Sequence, residues 1–400
     1  MQKRLRMKLT TVVIASAIAL AAGPSYAAPA GDHSAKAAGS YFAYIGTYTE
    51  NGSKPTGSKG IYISRFDPKG AHFAPLELAA GGIRNPTALT TDPHHRFLYA
   101  VEEIGKLNEI DGSIYSYAID PKSGALKFLN KVSAEGGNPA HLVVDQTGKM
   151  LIDANYISGS VISFALNPDG SIGKRSGFDQ HQGSGPDPRQ KGPHAHEVVL
   201  SPDNHFLFVP DLGLDKVFIY RIDPAHATFV PNEPAFVSVN PGLGPRHFVF
   251  GAGAKFAYLV CEMGSSVVAF SYDHVTGALK VLQTVSTLPP DFTGVDNGGE
   301  IQIDRSEKFL YASNRGDDSI TLFRINPQDG TLRKVQKTPT GGKIPRHFII
   351  DPSNKYLIAE NQNTDSLVDF AINQNTGELT PTGDVVNTPA PCWILFVPAP

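Results

Sequence analysis

Phe309-Leu310-Tyr311 is one of seven such stretches, the others being Phe42-Ala43-Tyr44, Phe97-Leu98-Tyr99, Met150-Leu151-Ile152, Phe206-Leu207-Phe208, Phe256-Ala257-Tyr258 and Tyr356-Leu357-Ile358. Each opens on an aromatic or aliphatic doublet, runs through small apolar residues and stops at an abrupt polar position. Their middle residues step by 55, 53, 56, 50, 53 and 47. A period of this size marks an array of supersecondary units.

A turn follows most of the doublets: Asp67-Pro68-Lys69-Gly70, Asp120-Pro121-Lys122-Ser123-Gly124, Asn167-Pro168-Asp169-Gly170, Asp273 to Gly277, Asn326 to Gly330 and Asn373 to Gly377. Asp or Asn opens such a turn through its side-chain acceptor, Pro sets φ, and Gly takes the positive-φ position. The segments before the turns, such as Ser160–Leu166 and Ser265–Tyr272, alternate with the period of a strand that has one buried face. No comparable segment of the mature chain carries a 3.6 period. About four short strands fit each unit, and four-stranded units repeated radially make a propeller. The expectation is an all-β, seven-bladed β-propeller of four-stranded antiparallel blades spanning residues 41–400. Tyr41–Ile45 and Trp393–Val397 both read as strands, so one blade should join the chain ends and leave no open edge.

With 39 Gly, 31 Pro and 14 Tyr among 400 residues, the chain is turn-rich. Its length requires no second domain, because a ring of blades grows by repetition. A net charge of −3 without a basic stripe argues against nucleic-acid binding. At the N-terminus, Lys3, Arg4, Arg6 and Lys8 precede an apolar run from Thr10 to Ala22, followed by Ser25-Tyr26-Ala27. That run is too short to span a bilayer and reads as a secretory signal peptide, residues 1–27, with a flexible leader over residues 28–40. The mature chain is expected in the periplasm or outside the cell, with no membrane span, as a monomer. Cys261 and Cys392 fall in different blades and are expected as two buried thiols. No metal-site spacing occurs, and neither a metal nor an organic cofactor is expected.

A second set of residues recurs where a strand begins: Asn138-Pro139-Ala140-His141, Pro193-His194-Ala195-His196, Gly244-Pro245-Arg246-His247, Gly298-Gly299-Glu300 and Ile344-Pro345-Arg346-His347. A third set closes the doublet strands: Glu102 and Glu103, Asn155 and Tyr156, Asp211, Cys261 and Glu262, Asn314 and Arg315, Asn361 and Gln362. In an antiparallel blade the start of one strand meets the end of its neighbour, so both sets should ring one mouth of the channel. A His directly after Arg, as at His247 and His347, is more often a brace between blades than a catalyst. His141 and His196 stand equally for either role. Asn155, Asn314 and Asn361 read as loop caps, and Asp211 and Asp351 as turn residues. Arg246 and Arg346 cannot pair with each other alone and call for an anion.

These residues resemble the seven-bladed lactonase family, which includes bacterial propeller-type 6-phosphogluconolactonase and the fungal carboxy-cis,cis-muconate cyclase. The resemblance covers essentially the whole mature chain. It is carried by His196 through Ser201-Pro202-Asp203-Asn204, Gly244-Pro245-Arg246-His247, Cys261-Glu262-Met263-Gly264-Ser265-Ser266, Leu282-Gln283-Thr284 through Leu288-Pro289, and Lys355-Tyr356-Leu357-Ile358-Ala359. It implies a catalytic set of His196, Arg246 and Glu262. It also implies substrate contacts from Arg315 and Arg346, to which the mouth residues His141, His194, Asn155 and Glu300 are added. Gly298-Gly299-Glu300 stands where the cyclase has a further Arg, which favours lactone hydrolysis over a muconate reaction.

Opening a sugar lactone needs an activated water, a stabilised oxyanion and a protonated leaving oxygen. His196 is the candidate base, since imidazole accepts a proton near neutral pH. Arg246 would hold the oxyanion, Glu262 would orient His196 or transfer a proton, and Arg315 and Arg346 would bind phosphate or other polar groups. An exported enzyme would meet few phosphosugars, so an unphosphorylated aldonolactone, or another lactone, is a further candidate. A non-enzymatic binding propeller is the alternative of a different class. The Gly/Pro-rich stretches Gly177–Pro193 and Thr287–Gly298 are expected to be unpacked loops walling the pocket.

Overall fold

The computed structural model describes residues 39–400 apart from Ser53 and residues 106–110. The expected signal peptide and all but the end of the leader lie outside the described residues. Seven antiparallel blades follow one another along the described residues, with a separate two-stranded ribbon of Glu50–Asn51 and Lys54–Pro55. Each doublet begins the second strand of its sheet, counted from the channel outward: Tyr41–Thr47, Phe97–Glu102, Met150–Asn155, Phe206–Asp211, Phe256–Cys261, Phe309–Asn314 and Tyr356–Asn361. Six blades have four strands. Blade 1 carries a fifth, short strand, His72–Phe73, beside its third.

The ring closes as expected. Pro391–Pro398 is the innermost strand of blade 1 and pairs antiparallel with Tyr41–Thr47, from Tyr41 opposite Pro398 to Gly46 opposite Trp393. The two chain ends therefore cover each other's backbone donors and acceptors within one blade, which leaves neither end as a separate unpaired strand.

The burial of the third strands differs from the alternation read in the sequence. Ser160–Leu166 and Ser266–Tyr272 are buried on both faces for most of their length. Blades stack face to face, so a middle strand meets a neighbouring blade on each side. Alternation appears instead in outer strands such as Leu279–Ser286, whose second face looks at solvent.

A repeated latch joins successive blades and explains the doublet. The Tyr44 hydroxyl donates to the Gly124 carbonyl at 2.6 Å, Tyr99 to Gly170 at 3.0 Å, Tyr258 to Gly330 at 3.0 Å and Tyr311 to Gly377 at 2.7 Å. The first aromatic of each of these doublets covers the same glycine: a Cβ on Gly330 would stand 2.4 Å from the Phe256 ring. Each hairpin glycine is thus required twice, by its positive φ and by the ring packed on it. In blade 1 the expectation shifts by one residue, because Ala71 rather than Gly70 takes the left-handed position, at φ 54°.

Candidate active site

The site is built from irregularities in these ladders. Pairing between the inner and second strands slips between Pro139 and His141, Pro245 and His247, Gly298 and Ile301, and Pro345 and His347. In blade 1 it slips opposite Cys392. An extra residue in one strand re-aims its side chain out of the pleat. Ala140, Arg246, Arg346 and Cys392, all at such slips, line a pocket at one mouth of the channel together with Thr87, Glu103, His196, His247, His347 and Trp393.

On one wall stands a charge cluster around Glu262. Its carboxylate is 3.3 Å from Arg246 Nε and 2.6 Å from Arg315 Nη2, and it also pairs with Arg189. Burial would raise this carboxyl, but Arg315 and then Arg246, with the hydrogen bond from Arg189, hold it well below the usual carboxylate range. Arg246 donates through Nη1 to the Gly299 carbonyl at 2.8 Å. Burial, with Arg315 and Arg346 nearby, brings its guanidinium down to about 9, still a cation at neutral pH. His196 Nε2 lies 4.0 Å from Glu262, and its Nδ1 has no partner among the described residues. Burial and then Arg246 hold its pKa well below 6.5, so it is a neutral imidazole in its proton-accepting form.

Arg346 forms the other wall, 3.7 Å from Glu103 and over the face of the Tyr48 ring at 5.1 Å. Tyr48 donates to Glu103 at 2.6 Å, and Thr87 donates to the same carboxylate. Burial lowers the Arg346 pKa, but Tyr48 and then Glu103 more than reverse this.

The structure brings His196, Arg246 and Arg346 onto the pocket, with Glu262 and Arg315 directly behind. It places the other expected contacts differently. Asn155 is fully buried and donates to the Ala134 carbonyl at 3.0 Å, holding a blade turn. His194 is pinned by the Tyr156 carbonyl at 2.9 Å and stacks on the Tyr156 ring. His141 packs against Trp393 and stands 3.7 Å from Glu197, one residue below the pocket-lining Ala140. Glu300 is buried against His247, Nδ1 to Oε2 2.6 Å, rather than open to a ligand. Sequence reasoning missed Arg189, which lies in a loop with no repeat to align it, and Tyr48, which follows its doublet strand as Glu103 and Glu262 follow theirs.

The stretch Gly177–Pro193 is not an unpacked loop. Residues through Gln180 belong to the outer strand Ile172–Gln180. His181 is buried between Asp211 at 2.6 Å and Tyr220 at 2.8 Å, and Gln190 is buried and donates to the Leu212 carbonyl. Polar side chains supply here the packing that its composition lacks. Asp211 is accordingly a turn residue and an anchor, also accepting from the backbone of His194 and Gly213. The second stretch reaches the first through Asn297, which accepts from Arg189 at 2.9 Å. Cys261 and Cys392 are free, buried thiols.

Residues 42–396 match the family described as "Lactonase, 7-bladed beta-propeller". A 6-phosphogluconolactonase of Bacillus subtilis is 35% identical over 309 residues, covering 77% of this chain and 84% of that protein. One of Formosa agariphila is 34% identical over 311 residues, covering 77% and 85%. Among solved structures, the periplasmic gluconolactonase of Pseudomonas aeruginosa superposes with a TM-score of 0.84 at 35% identity, over 90% of this chain and all of that one. The chain belongs to the seven-bladed β-propeller lactonase family.

Proposed function

We propose that this member of the lactonase family is an exported enzyme that hydrolyses an aldonolactone, phosphorylated or not, to its open-chain acid. The observation that carries the reading is the pairing of a neutral His196 with Arg246, a buried cation braced by Glu262, on one pocket wall. A neutral imidazole can take a proton from water as the water attacks the ring carbonyl. The guanidinium can meet the charge that then develops on the carbonyl oxygen in a site largely shielded from solvent, where such charge is stabilised most. Glu262 fixes Arg246 and steadies the proton gained by His196, and Arg315 holds Glu262 in turn. Arg346, on the opposite wall, would bind an anionic or polar substituent of the sugar.

Gly299 counts against a muconate-type reaction. A side chain there would meet Ser313 Oγ at 2.4 Å, so the strand has no room for the additional arginine. Export rests on the charged and apolar N-terminal segment and on the likeness to a periplasmic gluconolactonase.

The test is hydrolysis of glucono-δ-lactone and 6-phosphogluconolactone by the purified mature protein, corrected for the buffer rate, before and after dialysis against a chelator. The expected result is turnover of at least one lactone, unaltered by the chelator. Rates no faster than buffer for both would leave a binding propeller as the better reading. N-terminal sequencing of protein recovered from the periplasm should begin near Ala28.

A further inference from the structure

His196, Arg246 and Glu262 leave one requirement of the reaction without a residue. A sugar alcohol is a poor leaving group, and the ring oxygen needs a proton as its bond to the carbonyl carbon breaks. At the floor of the pocket lies a belt of buried ionisable side chains, His141, Glu197, His247, Glu300 and His347, of which His141, His247 and His347 each stand one residue past a slip. Most of the belt is closed on itself. His347 has a carboxylate at each nitrogen, Glu360 at 2.7 Å from Nδ1 and Glu300 at 3.7 Å from Nε2. Glu197 accepts from the backbone N–H of Phe248 at 2.5 Å.

His247 is different. Its Nδ1 is held by Glu300 at 2.6 Å, while its ring lines the pocket. Its Nε2 bonds to no described residue and is not among the buried unpartnered atoms, so it is open to the pocket. The ring meets that of His196 edge to face, centroids 5.1 Å apart. An imidazole oriented through one nitrogen by a carboxylate, with the other nitrogen free, is the geometry of a proton-transfer residue.

We propose that the His247–Glu300 pair is the general acid of the site, donating the Nε2 proton of His247 to the leaving ring oxygen. This rests on the lactonase reading. Water adds to the carbonyl carbon and gives a proton to His196; the bond between that carbon and the ring oxygen breaks, its electron pair staying on the oxygen. The His247 Nε2 proton passes to that oxygen, while the proton shared with Glu300 moves onto Nδ1. The proton on His196 returns to the pair, so that one water is consumed and both side chains are restored. Donation requires the shared proton to rest on the Glu300 carboxyl at the start. Burial favours this by raising Glu300 and, with the facing Arg246, His196, His141 and His347, by lowering His247.

The experiment compares His247→Asn and Glu300→Gln with the parent on glucono-δ-lactone and on an aryl lactone, dihydrocoumarin, whose phenolic leaving group needs little protonation. Each variant should lose about 10²–10⁴-fold in kcat on the sugar lactone, the range typical of acid–base catalysis, with KM little changed. The loss should be far smaller on the aryl lactone. The alkaline limb of the kcat–pH profile should flatten in both, and Glu300→Asp should recover part of the rate. Equal losses on the two lactones, or a drop in melting temperature with kcat and pH profile unchanged, would make the pair a structural brace and overturn the proposal. Retained turnover in His247→Asn would remove the acid role and leave the lactonase reading intact. A parent inert toward every lactone would remove both.

Discussion

Glu262 and Glu300 lie one layer apart at the same mouth of the propeller, both almost fully buried, and burial pushes both upward. They end on opposite sides of the ordinary carboxylate range: Glu262 falls well below it and Glu300 rises above it. The difference lies in the neighbours. Burial can raise a carboxyl by up to about 3–5 units, whereas one nearby cation lowers it by about 1–3. A single cation does not win, but the guanidinium groups of Arg315, Arg246 and Arg189 around Glu262 do. Glu300 is met at hydrogen-bond distance by one imidazole, His247, which burial itself holds in the neutral form. The upper layer is therefore a fixed array of charges suited to anions, and the lower layer leans toward the protonated carboxyl.

The sharpest way to break this contrast is Glu262→Gln, which leaves three guanidinium groups around a neutral amide. Removing one partner of a buried charge cluster costs about 3–5 kcal/mol, so the urea midpoint should fall markedly and turnover should be nearly lost. A variant as stable as the parent would show that the upper array is not held by its carboxylate. Next in size is His196→Asn, which can make one of the same hydrogen bonds and should retain the fold while kcat falls about 10²–10⁴-fold; parental turnover would pass the role of base to another group.

Arg346→Ala should raise KM more than it lowers kcat, with the larger penalty for 6-phosphogluconolactone than for glucono-δ-lactone. A penalty equal for both would mean that Arg346 does not meet the phosphate. The smallest effects should appear in stability against pH, and with opposite signs. Glu262 binds its proton less tightly folded than unfolded, so its contribution is present above the ordinary glutamate pKa, about 4.5, and is lost as pH falls below it. Glu300 binds its proton more tightly when folded, so its contribution is present below about 4.5 and declines as pH rises toward its raised value. Urea melts of Glu300→Gln between pH 4 and pH 7 should therefore lose a component that weakens as pH rises, and an unchanged slope would refute the contrast.

Much of this molecule was legible because a propeller writes the same physical requirements seven times. The aromatic-x-Tyr doublet and the Asp/Asn-to-Gly turn are read together in Tyr311 and Gly377, which the structure joins by a hydrogen bond between blades. The starts of the inner strands were legible for the same reason, and with them His196, Arg246 and Arg346. Glu300 stands near such a start and Asn155 at the end of a doublet strand, yet repetition assigns a place and not a direction. The slips in the ladder decide which side chain turns into the channel, and these depend on hydrogen-bond register that no single strand encodes.

Arg189 shows the other limit. It has no counterpart in the repeat, and only the folding of its loop, pinned by Gln190 and His181, carries its guanidinium to Glu262. The sequence alone determined the number of blades, the strand that closes them and the mouth on which the charged residues gather, because these follow from local periodicity and turn chemistry. The tertiary structure alone decided which carboxylate is held as an ion and which is pushed toward its protonated form. That outcome depends on burial and on how many cations come within a few ångströms, and those cations arrive from separate blades distant in the chain.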